Sequence, residues 1–233
     1  MPSIPQIIEC PRYSCEQKLV RHSLESGNTF GATFWTDGRM DAPMMPQYPD
    51  FTRCPECGWF FWAHKAEELG PYIPRKKLTN DDPPKVLDDP HYPDVREPTF
   101  KQYLKALETK LGHWPNVEKE LRLKAWRKYN DKFRSKPKKG EEPKAIYWTP
   151  EARENANNVL MLLNERNIDD SISKAELLRE LGRFELALQM LDIIDEYGLD
   201  QDGSYQTSLQ RIRELAEGES SDLAVIESPK DTG

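Results

Sequence analysis

Thiolates are the clearest chemistry in this chain, and they fall in two pairs. Cys54-Pro-Glu-Cys57-Gly58 places two thiols with two residues between them. A loop that short lets both sulfurs reach one metal ion, and the glycine permits a tight turn after the second ligand. Cys10 and Cys15, with four residues between them in Cys10-Pro-Arg-Tyr-Ser-Cys15, form the other pair, and the chain has 4 cysteines in all. Two pairs with no cysteine left over point to one structural Zn2+ held by Cys10, Cys15, Cys54 and Cys57. Four sulfurs leave no open position for water, so such a site is structural and not catalytic. The alternative is that Cys54 and Cys57 take a histidine, with His22 and His64 as candidates.

Other reactive constellations are missing. The sequence holds no phosphate-binding glycine loop, no Gly-x-Ser-x-Gly elbow and no His-Glu-x-x-His, and its 4 histidines are isolated. Asp37, Asp41 and Asp50 sit in turn-like sequence, where acids usually serve the turn. The chain therefore reads as non-enzymatic.

The elements that must position the cysteines are short. Lys18–His22 alternates loosely, Thr29–Trp35 is an aromatic strand, and Asp37-Gly38 is a two-residue hairpin signal. Phe51–Trp62 reads as strand, knuckle, strand. Trp35, Trp59, Phe60, Phe61 and Trp62 serve either as a small core or as a stacking platform. Residues 1–70 thus form a small β-rich, zinc-ribbon-like domain, and metal binding should contribute directly to folding at that size. Residues 71–98 are a proline-rich connector.

From Thr99 the pattern turns helical. Thr99 caps a helix with Phe100, Tyr103, Leu104, Leu107 and Leu111 on one face, ended by Gly112. Pro115 opens a second helix whose stripe runs to Phe133. Its other side, within 119–139, is basic: Lys119, Arg122, Arg127 and Lys128 are the candidates for phosphate contacts, with nucleic acid as the partner in that reading. Thr149-Pro150-Glu151 starts a third helix. A longer segment, 168–194, carries a possible capping box at Ser173 and Glu176 and splits at Gly182 into two amphipathic helices. A last helix covers 204–217, and 218–233 reads as a disordered acidic tail.

That helical segment resembles a tetratricopeptide repeat. Ala175 and Ala187 match the family's small positions, and Leu178, Phe184, Leu191 and Ile194 its large apolar ones. The usual terminal proline is replaced by Asp195-Glu-Tyr-Gly198, and only one convincing repeat is present. The arrangement as a whole is similar to uncharacterised bacterial proteins that join a zinc-ribbon-like module to tetratricopeptide-like helices, through Ser26-Gly-Asn-Thr-Phe-Gly, Trp35-Thr-Asp-Gly38, Cys54-Pro-Glu-Cys-Gly58 and Leu181-Gly-Arg-Phe-Glu-Leu-Ala187. The resemblance implies an α+β chain: a zinc-ribbon-like domain, then an all-α antiparallel helical domain over 99–217. It also implies a concave face for a protein partner, with Lys174 and Arg179 as candidate contacts.

Composition sets the remaining bounds. The chain has 233 residues, enough for two modest domains, with 37% hydrophobic and 31% charged residues. Its net charge of −7 is uneven: 71–147 holds 19 basic and 12 acidic residues, and 148–233 holds 8 and 19. The basic part either meets nucleic acid or complements the acidic part within the chain. The N-terminus has no basic start or long apolar run, and no window approaches a membrane span. These features place the protein in the cytoplasm with reduced thiols. The classes left are a zinc-containing adaptor for a protein partner, a nucleic-acid-binding protein, and an immunity-type inhibitor of a toxin.

Overall fold

A computed structural model describes residues 2–73, 92–134 and 146–226. In chain order the strands are β1 (Gln6–Glu9), β2 (Lys18–Arg21), β3 (Thr33–Trp35), β4 (Met40–Asp41), β5 (Phe51–Arg53), β6 (Phe60–Trp62), β7 (Glu68–Pro71) and, at the end, β8 (Val225–Ile226). The helices are α1 (Phe100–Leu107), α2 (Pro115–Asn130), α3 (Pro150–Leu162), α4 (Ile168–Glu180), α5 (Phe184–Glu196) and α6 (Gln206–Glu217). The β-rich N-terminal region and the helical C-terminal region are those expected of an α+β chain. Two compact units result: Met1–Ala32 with Ala42–Gln102, and Thr33–Asp41 with Tyr103–Gly233.

The first unit contains an antiparallel sheet of order β2-β1-β7 and the separate hairpin β5-β6. Ile7 faces Val20 and Ile8 faces Leu19 in the ladder. All four are fully buried, so β1 and β2 are covered on both faces. That explains the poor alternation of Lys18–His22, because a strand covered twice has no solvent face to mark. The stretch before α1 closes one side: Val20 N donates to Pro93 O at 2.9 Å, and Val95 N donates to Val20 O at 2.8 Å. Val95 is buried in the core with Ile8, Leu19, Phe61, Ala63 and Ala66. Residues 92–98 of the expected connector are thus built into the unit, and 74–91 lie outside the described residues.

The second unit takes in a hairpin that sequence reasoning assigned to the zinc-ribbon domain. Strands β3 and β4 pair around Asp37-Gly38, and β8 adds to the other edge of β3, with Trp35 opposite Val225. Gly38 sits at φ +79°, as the tight turn requires. Residues 220–226, expected to be a disordered tail, end in this strand; 227–233 lie outside the described residues.

Helix boundaries follow capping chemistry. Gln102 N donates to Thr99 Oγ1 at 3.3 Å and Thr99 N to Gln102 Oε1 at 2.9 Å, a reciprocal cap at the start of α1. The helix stops at Leu107 rather than near Gly112, and a 3-10 turn over Lys110–His113 follows, begun by Thr109 accepting from Leu111 N. The stripe expected to run to Phe133 leaves α2 at Asn130 and ends in a second 3-10 turn, Asp131–Phe133. Thr149 caps α3 through Ala152 N at 3.3 Å. The cap of α4 is Asn167, whose Oδ1 accepts from Asp170 N at 3.0 Å. Ser173 and Glu176 therefore lie inside α4, and the capping box expected there does not form.

Between α4 and α5, Arg183 N donates to Leu178 O and Gly182 N to Arg179 O, both at 2.9 Å. Gly182 adopts φ +74°, which completes a Schellman turn. The small residues Ala175 and Ala187 pack with Leu178, Leu191, Ile194 and, from α6, Ile212 and Ala216. A second cluster joins Trp126, Ala156, Val159, Leu163 and Leu177.

Candidate metal centre

The two knuckles are built alike. Cys54 N donates to Trp59 O at 2.8 Å and Gly58 N returns to Cys54 O at 3.0 Å. In the first knuckle Cys10 N donates to Gln17 O at 2.9 Å and Cys15 N to Arg12 O at 2.9 Å. Each turn needs one left-handed residue, Gly58 at φ +73° and Ser14 at φ +74°. The missing glycine after Cys15 is thus made up by Ser14 before it. Gly58 has a further constraint, since a Cβ there would lie 2.7 Å from Arg53 Nη2. Arg12 ties the knuckles together: its Nη1 donates to Cys57 O at 3.2 Å, and its guanidinium stacks over Trp59.

These turns bring the four sulfurs within 4.8 Å of one another. Cys10 Sγ lies 3.7 Å from Cys57 Sγ, and Cys15 Sγ 3.8 Å from Cys54 Sγ. A tetrahedron with metal–sulfur bonds of about 2.3 Å has edges of about 3.8 Å. The close pairs run between knuckles, so one ion would tie both to the same point. Cys10, Cys15 and Cys54 are buried and Cys57 is half-buried. Burial pushes the Cys10 and Cys54 thiols up. Burial also raises Cys57, but the Trp59 N–H and the three other sulfurs outweigh it and bring the thiol down to about 7. The four cysteines are positioned to hold a metal ion. His22 and His64 are engaged elsewhere: His22 Nε2 pairs with Asp94 Oδ1 at 2.9 Å, and His64 tilts against Trp62.

The aromatic cluster divides. Trp35, Phe60 and Phe61 are buried, Trp62 packs on Phe51, and Trp59 is 49% exposed. A continuous stacking platform is not formed.

Three of the four basic candidates on α2 meet carboxylates inside the second unit. Lys119 Nζ donates to both carboxylate oxygens of buried Asp170, at 2.8 and 3.1 Å. Arg122 binds Glu118 at 2.8 Å, and Lys128 binds Asp131 at 2.8 Å. Arg127 Nε donates to Asp37 O at 3.0 Å. Of the two expected partner contacts, Lys174 pairs with Glu165. Arg179 is fully buried; it donates to both oxygens of Glu176, at 2.8 and 2.6 Å, and to Ser220 O. A guanidinium enclosed in this way has no donor to offer a partner.

Sequence reasoning missed the polar interior of this unit. Asn130 Nδ2 donates to Asp37 Oδ2 at 3.1 Å and to Glu180 Oε1 at 2.9 Å. Trp126 Nε1 donates to Glu180 Oε2 at 2.7 Å. Arg134 donates to both oxygens of Asp37. Burial, then the charges of Glu176 and Asp37, push the Glu180 carboxyl well above its ordinary range.

No protein family matches this chain, and comparison with curated proteins and with solved structures finds no match. No helix among the described residues is long and apolar enough to cross a membrane.

Proposed function

We propose that this protein is a non-enzymatic, zinc-containing adaptor that works in the cytoplasm, with the metal folding the first unit and the helices of the second receiving a protein partner. Zinc is the ion that suits four thiolates at tetrahedral edge lengths, and the closed set supports a structural role. In this reading α4 and α5 act as a tetratricopeptide-like pair with α6 as its neighbour.

One observation carries the docking surface. A groove of about 730 Å³ runs between α5 and α6, floored by Leu191, Ile194 and Leu209 and rimmed by Asp200 and Asp202, while Asp195 is paired with Arg213 at 2.8 Å. An apolar floor under an acidic rim suits a basic segment that buries one apolar side. Asp202 is fully exposed, and hydrogen bonds within the Asp200–Ser204 loop lower its carboxyl further below the usual range, so its charge persists. The nucleic-acid reading loses support because Lys119, Arg122 and Lys128 already have carboxylate partners.

The test is capture from host lysate after nuclease treatment, with Asp202→Lys and Gln206→Lys combined against the native protein. The expected result is one stoichiometric protein held by the native chain and lost by the variant, with unchanged melting. Capture unaffected by the variant, or lost on nuclease treatment, would overturn this reading.

A further inference from the structure

A second cavity, of about 280 Å³, lies wholly within the second unit. That is close to the lower end of ligand cavities, about 300 Å³, and suits a small molecule. Its floor is Trp35, Thr36 and Asp37, all buried. Phe34, Ile172 and Ile226 supply an apolar wall, and Ser173, Ser208 and Tyr205 supply hydroxyls. Four charged side chains line it, Asp37, Arg39, Arg127 and Asp169, and Arg39 Nε faces Asp41 Oδ1 at 3.8 Å.

Arg127 differs from its neighbours on α2. Lys119, Arg122 and Lys128 each meet a carboxylate, whereas among the described residues no carboxylate lies within ion-pair distance of Arg127. Its Nε is fixed on the Asp37 carbonyl, which leaves Nη1 and Nη2, the end-on fork that matches a carboxylate. Gly38 keeps the space beside that fork clear, since a Cβ there would stand 3.2 Å from Nη2. The carboxylate of Asp37 is already taken by Arg134, Asn130 and the Arg39 N–H. Burial, with Arg134 and Arg39 nearby, lowers the Arg127 pKa despite the attraction of Asp37, so an added anion would relieve this position. At the mouth, Asp169 is exposed and its Oδ1 accepts from Tyr205 Oη at 2.7 Å. Asp169 would repel a simple anion but attract an ammonium group.

We propose that this cavity binds a small apolar α-amino acid, with its carboxylate on the Arg127 fork, its ammonium on Asp169 and its side chain against Phe34, Ile172 and Ile226. Tyr205 holds the Asp169 carboxylate in place. The site is independent of the α5–α6 docking groove, and its failure would leave that reading standing.

Calorimetric titration of the full-length protein with leucine tests this, using 4-methylpentanoate (no ammonium) and 3-methylbutylamine (no carboxylate) as partial mimics. Leucine should bind, and each mimic should bind at least about tenfold more weakly, because each forfeits one charge-assisted contact. Arg127→Gln should abolish the preference for leucine over the amine, and Asp169→Asn the preference for leucine over the acid. Should Arg127→Gln fail to fold, the exposed Asp169→Asn and the cavity-filling Ser208→Leu, which should block leucine, carry the test. No leucine binding at millimolar concentration, or equal affinity for leucine and 4-methylpentanoate, would overturn the proposal.

Discussion

Three of the nine buried residues at the centre of the first unit are cysteines, whereas the cluster joining α4, α5 and α6 is wholly apolar and contains none. The first unit has strands of three or four residues and a core of Ile8, Leu19, Phe61 and Val95 around its thiols. A core that small offsets little chain entropy, and a metal ion on its four thiols would add directly to its stability. The second unit fastens α2, α4 and the β3-β4 hairpin with an interior of polar and ionisable groups: Asp37, Asn130, Arg134, Glu176, Arg179 and Glu180. In the proposed reading one unit relies on a bound metal ion, whereas the other is held by its own side chains. The comparison teaches that the two respond to different insults.

The largest expected effect is on the first unit. Cys54→Ser, or a strong chelator, should remove the metal and leave β1, β2, β5 and β6 unprotected in hydrogen exchange. The far-UV helical signal should persist, since the helical core contains no cysteine. Loss of both signals together would break the comparison.

Next is the buried ion pair. Arg179→Ala strands Glu176, which is also fully buried, and should cost about 3–5 kcal/mol of second-unit stability in denaturant titration. A change under about 1 kcal/mol would show that the pair is more hydrated than its burial indicates.

The smallest is a slope in pH. Glu180 keeps its proton in the folded chain to a pH at which the unfolded chain has released it. This contribution is therefore complete below about pH 4.3 and fades as the pH rises toward the raised folded value. Glu180→Gln should flatten that decline relative to the native protein. Parallel curves would place the ionised carboxylate in the folded state.

How much of this was legible follows from the range of each interaction. Knuckles, caps and the Asp37-Gly38 turn are local, and Cys54-x-x-Cys57, Thr99, Thr149-Pro150 and Gly182 announced them, whereas Ser173 and Glu176 drew attention from the α4 cap at Asn167. Asp37 and Arg134 are 97 residues apart, and no local pattern links them. The same distance hid the transfer of the β3-β4 hairpin to the helical unit. Arg179 misled because a charge on an amphipathic helix ordinarily faces water; the Glu176-x-x-Arg179 spacing was the available sign that it brings its own partner. Lys119 and its neighbours left two readings open, since a basic stripe reads alike whether phosphates or Asp170 await it, and the Lys119–Asp170 pair is of the kind expected within the chain. On the cavity, residue types were visible, but their convergence from β3, α2, α4 and α6 was not.

The central claim is that one metal ion, held by four thiolates, folds the first unit. Native mass spectrometry of the purified protein, with and without Cys54→Ser, tests it most directly. The account predicts one zinc per native chain and none in the variant. A metal-free native chain whose strands remain protected from exchange, or a variant that retains its zinc, would contradict it.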